Sequence, residues 1–179
     1  MSQFVIEHQR ALLAAGFNPG AIDGDWGRKT QLSTDAWQRS KGVLVPGYLS
    51  IAERELGVAE YPGEKDNPRV LEYHRHTSLQ ASDDEVPWCS AFANYCMDCA
   101  GVRKTNSAAA ASWLEWGVKV SEPRYGCVAI FHRTGGNHVA FVVGWDKRGN
   151  LAILGGNQSD KVCVHVTTTE LLRGYRVAA

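Results

Sequence analysis

Near residue 126 the hydrophobic pattern changes period, and that change constrains the fold more than any other feature of the chain. Before it, apolar residues recur at helical spacing. The helical stretches are 4–15, closed by Gly16; Thr30 through Trp37 to near Gly42; Ser50 to Gly57; 69–76; and Trp88 to Ala100, capped by Gly101. The Ala-rich run from Ser107 to Trp116 again ends on a glycine, Gly117. After the change come short β-branched and aromatic runs at 127–131, 138–145, 151–154, 162–166 and 175–177, separated by glycine-rich turns. Helices first and antiparallel strands second predict an α+β domain.

Punctuation within the helical half suggests two units. Residues 1–45 hold two helices around a loop with Asn18-Pro19-Gly20 and Asp23-Gly24, and offer Phe17, Ile22, Trp26, Leu32 and Trp37 as a core. So short a segment supports only a marginal core of its own. Val45-Pro46-Gly47-Tyr48 reads as a linker into a larger domain over 50–179.

Charge excludes one class of partner. With 19 Lys+Arg against 19 Asp+Glu the formal charge is zero, whereas a protein that tracks phosphates needs a basic surplus. No apolar stretch approaches the ~18 residues of a membrane span, and the N-terminus lacks the basic-then-apolar order of a signal peptide. The expectation is a monomer with neither nucleic acid nor membrane as partner. Five cysteines leave at least one thiol free. Cys96 and Cys99 form a CxxC with no second metal-binding pair, which reads as small apolar side chains on a helix.

The chemistry concentrates at Cys89. It follows Pro87-Trp88 at the first turn of a helix whose positions 89, 92, 93, 96, 97 and 100 form an apolar face. A helix N-terminus favours a thiolate and offers backbone N–H groups to an oxyanion. A buried inert cysteine is the competing reading. His138 begins a strand after Gly-Gly-Asn, with Ala140, Val142 and Gly144 on its own face leaving room for an imidazole beside a packed helix. Asn157 ends the next strand and can hold the second ring nitrogen. A nucleophile on a helix, a base on a strand and an orienting amide on the next is a papain-like arrangement.

Three segments carry a resemblance: Pro87-Trp88-Cys89-Ser90-Ala91-Phe92, then Gly136 to Gly144 around His138-Val139-Ala140, then Leu154-Gly155-Gly156-Asn157-Gln158-Ser159-Asp160. In order and placement they resemble the CHAP/NlpC superfamily of cysteine, histidine-dependent amidohydrolases and peptidases that cut peptidoglycan. The similarity extends over roughly residues 50–178. It implies a papain-like catalytic domain with Cys89 as nucleophile, His138 as general base and then acid, and Asn157 as the orienting third member. Some relatives have a carboxylate where this chain has Gly155, so Asp160 and Asp146 stand as alternatives for the third role. Gln9-Arg10-Ala11-Leu12-Leu13, Ile22-Asp23-Gly24-Asp25-Trp26-Gly27 and Trp37-Gln38 resemble the small all-α peptidoglycan-binding domain of wall-lytic enzymes.

The resemblance makes peptidoglycan the expected partner and a phage endolysin, held in the host cytoplasm until release to the wall, the expected setting. An exported toxin amidase and a non-catalytic wall-binding protein are the alternatives. No cofactor or metal is expected; the acidic loop Asp83-Asp84-Glu85 reads as a helix-leading loop, with calcium as its alternative. Trp88 is expected to line the substrate groove; Tyr73 reads as core packing, with a hydrogen bond to the oxyanion, as in some relatives, as its alternative. The balanced charge of both halves further implies that wall attachment depends on a shaped site, not on generic attraction to anionic polymer.

Overall fold

The structure is a computed structural model that describes residues 2–63 and 65–179. Its order is α1 (Gln3–Ala14), α2 (Arg28–Ser40), α3 (Gly47–Arg54), α4 (Pro68–His74), α5 (Cys89–Cys99), a 3-10 turn (Ala110–Glu115), then β1 (Val118–Val120), β2 (Val128–Arg133), β3 (Gly136–Trp145), β4 (Leu151–Gly155), β5 (Cys163–Thr167) and β6 (Leu172–Val177). The strands form one antiparallel sheet in the order β1-β6-β2-β3-β4-β5. This is the predicted α+β architecture, helices first and sheet second. Strand β1 is new to it. Three residues, two of them exposed, are too short and too wet to show a period.

Period-2 alternation divides the core between the two sheet faces. Val139, Phe141 and Val143 of β3 face the helices, and Phe141 meets Tyr48 of α3 at 5.1 Å and Phe92 of α5 at 6.5 Å between ring centroids. Ala140 and Val142 face the other way, into a smaller core with Cys127, Ala129, Phe131, Leu151, Ile153 and Tyr175. Helix α5 is buried from Cys89 through Met97, more than its single predicted apolar face requires, because α3 and α4 cover the side away from the sheet.

A polar knot joins those helices. Glu55, just past α3, receives Arg69 Nε at 2.7 Å and Tyr73 OH at 2.7 Å, both from α4. Burial pushes the Glu55 carboxyl up, but the hydrogen bonds from Arg69 and Tyr73 outweigh it and leave the group below its ordinary range. Helix α4 itself starts on Asn67, whose side chain accepts from Arg69 N, followed by Pro68 at the first helical position.

Residues 2–45 do not build the core expected of them. Val5 and Trp26 belong to the same core as α5 and β3, whereas Ile22 and Leu32 are exposed. Polar groups seat α2 on the sheet side: Gln31 Nε2 donates to Tyr125 OH at 2.8 Å and to Asp35 at 2.9 Å, and Tyr125 OH also bonds Asp35. Trp26 Nε1 completes the set by donating to Gln31 Oε1 at 2.9 Å.

Candidate active site

Cys89 is the first residue of α5, and three contacts fix that helix end. Ser90 Oγ donates to Ser107 O at 2.7 Å and accepts from Trp113 Nε1 at 2.9 Å. On the opposite side the chain leaving β4 comes so close that a Cβ on Gly156 would lie 2.5 Å from Trp88 and 2.6 Å from Phe92. Only glycine permits that approach. Asn157, in the left-handed region at φ 54, turns its amide oxygen to Trp88 and accepts from Nε1 at 3.1 Å and from the backbone N at 3.3 Å.

Burial dominates the thiol. Cys89 is 3% exposed, and desolvation pushes its pKa up. The nearby Val139 N–H, the Arg133 charge and the N–H groups of Ser90 and Cys89 pull the other way without overcoming it. The helix N-terminus therefore does not hold a resting thiolate, contrary to the expectation from position alone. Desolvation of a sulfur anion costs more than a few partial charges return.

His138 is the third residue of β3, paired with Phe131 across the ladder to β2. By alternation it joins Ala140 and Val142, so α5 packs on the other row, and the thiol meets the strand at the next residue, Val139. Among the described residues no hydrogen bond joins Cys89 to His138, and direct proton transfer between them requires one of the two side chains to move from its own side of β3. The imidazole is 7% exposed, and burial lowers its pKa to about 4. Its Nε2 lies 3.1 Å from Gln158 Oε1, while Nδ1 is buried with no partner among the described residues.

Gln158 thus holds the position assigned from sequence to Asn157. Strand alternation leads Gly155, Gly156 and Asn157 past the imidazole, but the left-handed Asn157 reverses the next side chain onto the His138 face. There a Cβ on Gly155 would sit 3.4 Å from Gln158 Cδ and 2.8 Å from Ala140 Cβ. Gln158 Nε2 is committed to Ile153 O at 3.2 Å and Cys163 O at 2.6 Å, so its oxygen must face the ring. A polar residue after Gly-Gly-Asn, where Asn tolerates positive φ, is the signal that identifies it. Asp146 caps its own turn through Arg148 N and Asn150 N, and Asp160 is exposed; neither bonds the imidazole.

Burial corrects the groove assignment of Trp88 and decides for core packing at Tyr73. Trp88 is fully buried, its Nε1 donating to Glu60 at 2.6 Å as well as facing Asn157, so it supports the site from beneath instead of lining a groove. Tyr73 is also fully buried and its hydroxyl is held by Glu55, which leaves it nothing to offer an oxyanion. The groove beside His138, about 280 Å³, is instead lined by Arg133, His165, Asn157 and Gln158, with no carboxylate among its described lining residues.

Carboxylate oxygens of Asp66, Asp83 and Asp84 lie within 4.8 Å of one another, with Asp66 in the place sequence gave to Glu85. Asp84 accepts from Tyr61 N and Asn67 N, which makes it an organiser of the loop ahead of α4. Cys96 is buried and Cys99 exposed, both free. Among the described residues no helix is long and apolar enough to cross a membrane.

Residues 81–157 match the family model of the CHAP domain. Domains of this kind are generally cysteine/histidine-dependent amidohydrolases or peptidases acting on peptidoglycan, and the match supports a peptidoglycan hydrolase. Cys89 and His138 lie inside the matched span, and Gln158 is the first residue beyond it. No curated protein matches the chain significantly.

Proposed function

We propose that this protein hydrolyses an amide bond of the peptidoglycan stem peptide, as a muramoyl-L-alanine amidase or an endopeptidase, with Cys89 as nucleophile and His138 as base. The observation that carries the reading is the state of His138. Nε2–H donates to Gln158 Oε1, which leaves the buried Nδ1 with an unpaired lone pair, on the residue next to the one whose backbone N–H meets the Cys89 thiol.

Chemistry then follows the neutral pair. With substrate bound and the two side chains brought together, His138 Nδ1 accepts the Cys89 proton as sulfur attacks the amide carbonyl, and the oxyanion draws on the N–H groups at the start of α5. Collapse of the tetrahedral species breaks the C–N bond, with Nδ1–H passing its proton to the leaving amine. Water, deprotonated by the same nitrogen, cleaves the thioester and returns the thiol. Arg133 in the groove suits stem peptides, which carry carboxylates. The resemblance of residues 1–45 to wall-binding domains favours an endolysin, released from the host cytoplasm to the wall, over an exported toxin.

Purified protein is expected to clear a peptidoglycan suspension, and Cys89→Ala to abolish clearing while keeping the fold. Undiminished lysis by that variant would overturn the mechanism. Mass spectrometry of the digest assigns the bond: a new L-Ala amino terminus means amidase, a terminus deeper in the stem means endopeptidase.

A further inference from the structure

A large cavity lies away from the groove beside His138. It is a cleft of about 960 Å³ between α2 and the far end of β3, lined among others by Trp37, Lys41, Leu44, Arg124 and Trp145. That size is at the upper end of the roughly 300–1,000 Å³ of ligand clefts. His138 and Trp145 stand seven residues apart on one strand, so roughly 20 Å separates the cleft from the imidazole.

Its lining has a definite chemistry. Trp145 is 45% exposed and Leu44 85%, a large apolar surface left in water at a strand end and a loop. The Lys41 ammonium sits 3.6 Å from the centroid of the Trp37 ring, which fixes a cation at the rim, and Arg124 supplies a second. No carboxylate is present among the described lining residues, although the chain as a whole is neutral. Local positive charge beside an exposed indole suits a ligand with flat apolar ring faces and anionic groups.

We propose that this cleft binds peptide-free glycan strands of peptidoglycan, Trp145 stacking on sugar rings while Lys41 and Arg124 pair with the lactyl carboxylates of muramyl residues. The inference rests on the amidase form of the function proposed above. Hydrolysis of the muramoyl–L-Ala amide turns a neutral lactyl amide into a carboxylate, so the ligand is the strand the active site has just stripped. Binding the product about 20 Å from the thiol would keep the protein on a partly digested strand while its active site takes the next stem.

The test uses the full chain carrying Cys89→Ala, pelleted with teichoic-acid-free sacculi before and after a separate amidase has removed their stem peptides. The expected result is at least tenfold tighter binding to the stripped sacculi, competed by soluble peptide-free glycan. Trp145→Ala, and independently the exposed Arg124→Gln, should each cut that binding several-fold. In the otherwise unsubstituted chain, the same two changes should leave cleavage of a small soluble muropeptide unchanged. Equal pelleting by parent and variants, retention only by wall that keeps its teichoic acid, or a parent dimer that both variants dissociate would each overturn the proposal. Muropeptide cleavage reads the active site separately, so loss of one activity does not imply loss of the other.

Discussion

His138 Nε2 and Gln158 Oε1 lie 3.1 Å apart, and the direction of that hydrogen bond is set from behind, by Gln158 Nε2 donating to the Ile153 and Cys163 carbonyls. The ring is thereby held in the tautomer that leaves Nδ1 free to accept a proton. Gln158→Ala removes this hold and leaves a buried N–H and two carbonyls short of partners. A lost hydrogen bond of about 1–3 kcal/mol corresponds to a fall in kcat of roughly 5- to 150-fold. Asn157→Ala is expected to act on both Cys89 placement and the Gln158 contact, because alanine disfavours the left-handed φ of 54 that turns Gln158 to the ring. Steady-state kinetics on a soluble muropeptide checks both; an unchanged kcat for Gln158→Ala would remove it from the mechanism.

Gly156 carries a steric prediction. A methyl group there would overlap Trp88 and Phe92 at 2.5–2.6 Å, both of them buried and backed by the core. Gly156→Ala must push the start of α5 outward, with an overpacking cost of about 1–3 kcal/mol. Displacement of about 1 Å at the nucleophile is enough to cost on the order of a hundredfold in rate. Urea unfolding and kcat measured together test this, since a stability loss with full activity would show that Cys89 had not moved.

The resting protonation state is open to alkylation. Burial raises the Cys89 thiol above its ordinary 9.0 and lowers His138 to about 4, so between pH 5 and 8 both are neutral. Iodoacetamide labelling of Cys89, followed by peptide mass spectrometry to separate it from the exposed Cys99, should climb about tenfold per pH unit through this range. A thiolate–imidazolium pair would give a plateau instead. The base needs His138 neutral, so the acid limb of kcat/KM should fall only near pH 4–5.

What was legible in the sequence divides along physical lines. Period, glycine punctuation and the Pro87-Trp88-Cys89 helix start are local signals, and the fold class and α5 followed from them. The groups around the imidazole depended on one backbone dihedral. With Asn157 at φ 54, the side chain facing His138 is Gln158, and counting by strand alternation points to the wrong amide. Trp88 misled for a related reason: adjacency to Cys89 does not reveal which way a large ring turns. The cores of residues 2–45 and of the sheet are shared through Val5 and Trp26, a long-range fact with no local trace.

Acid should destabilise the fold through its buried histidines. In the unfolded chain His138 has a pKa near 6.5, in the folded one about 4, so below 6.5 the unfolded state takes up a proton that the native state refuses. The depressed value means stability is fully present above pH 6.5 and is lost as pH falls towards 4. At pH 5 the loss from this residue is about 2 kcal/mol. His8, also lowered to about 4 by burial, and His74, lowered in the same direction, add to it. Urea midpoints at pH 7 and pH 5 measure the effect, and a pH-independent midpoint would contradict the buried neutral histidines.

Tyr125 tests whether the N-terminal helices and the sheet unfold together. Its hydroxyl sits between Gln31 Nε2, 2.8 Å away, and the Asp35 carboxylate, which is 2% exposed. Burial pushes the Asp35 carboxyl up, while hydrogen bonds from Tyr125 and Gln31 pull it back. Tyr125→Phe keeps the ring but leaves a buried carboxylate short of a donor, at a cost of about 1–3 kcal/mol. Because Val5 and Trp26 share one core with α5 and β3, that loss should lower the midpoint of one cooperative transition seen alike by tryptophan fluorescence and far-UV circular dichroism. Two separated transitions in the parent protein, with only the first moved by Tyr125→Phe, would instead mean that residues 2–45 fold on their own.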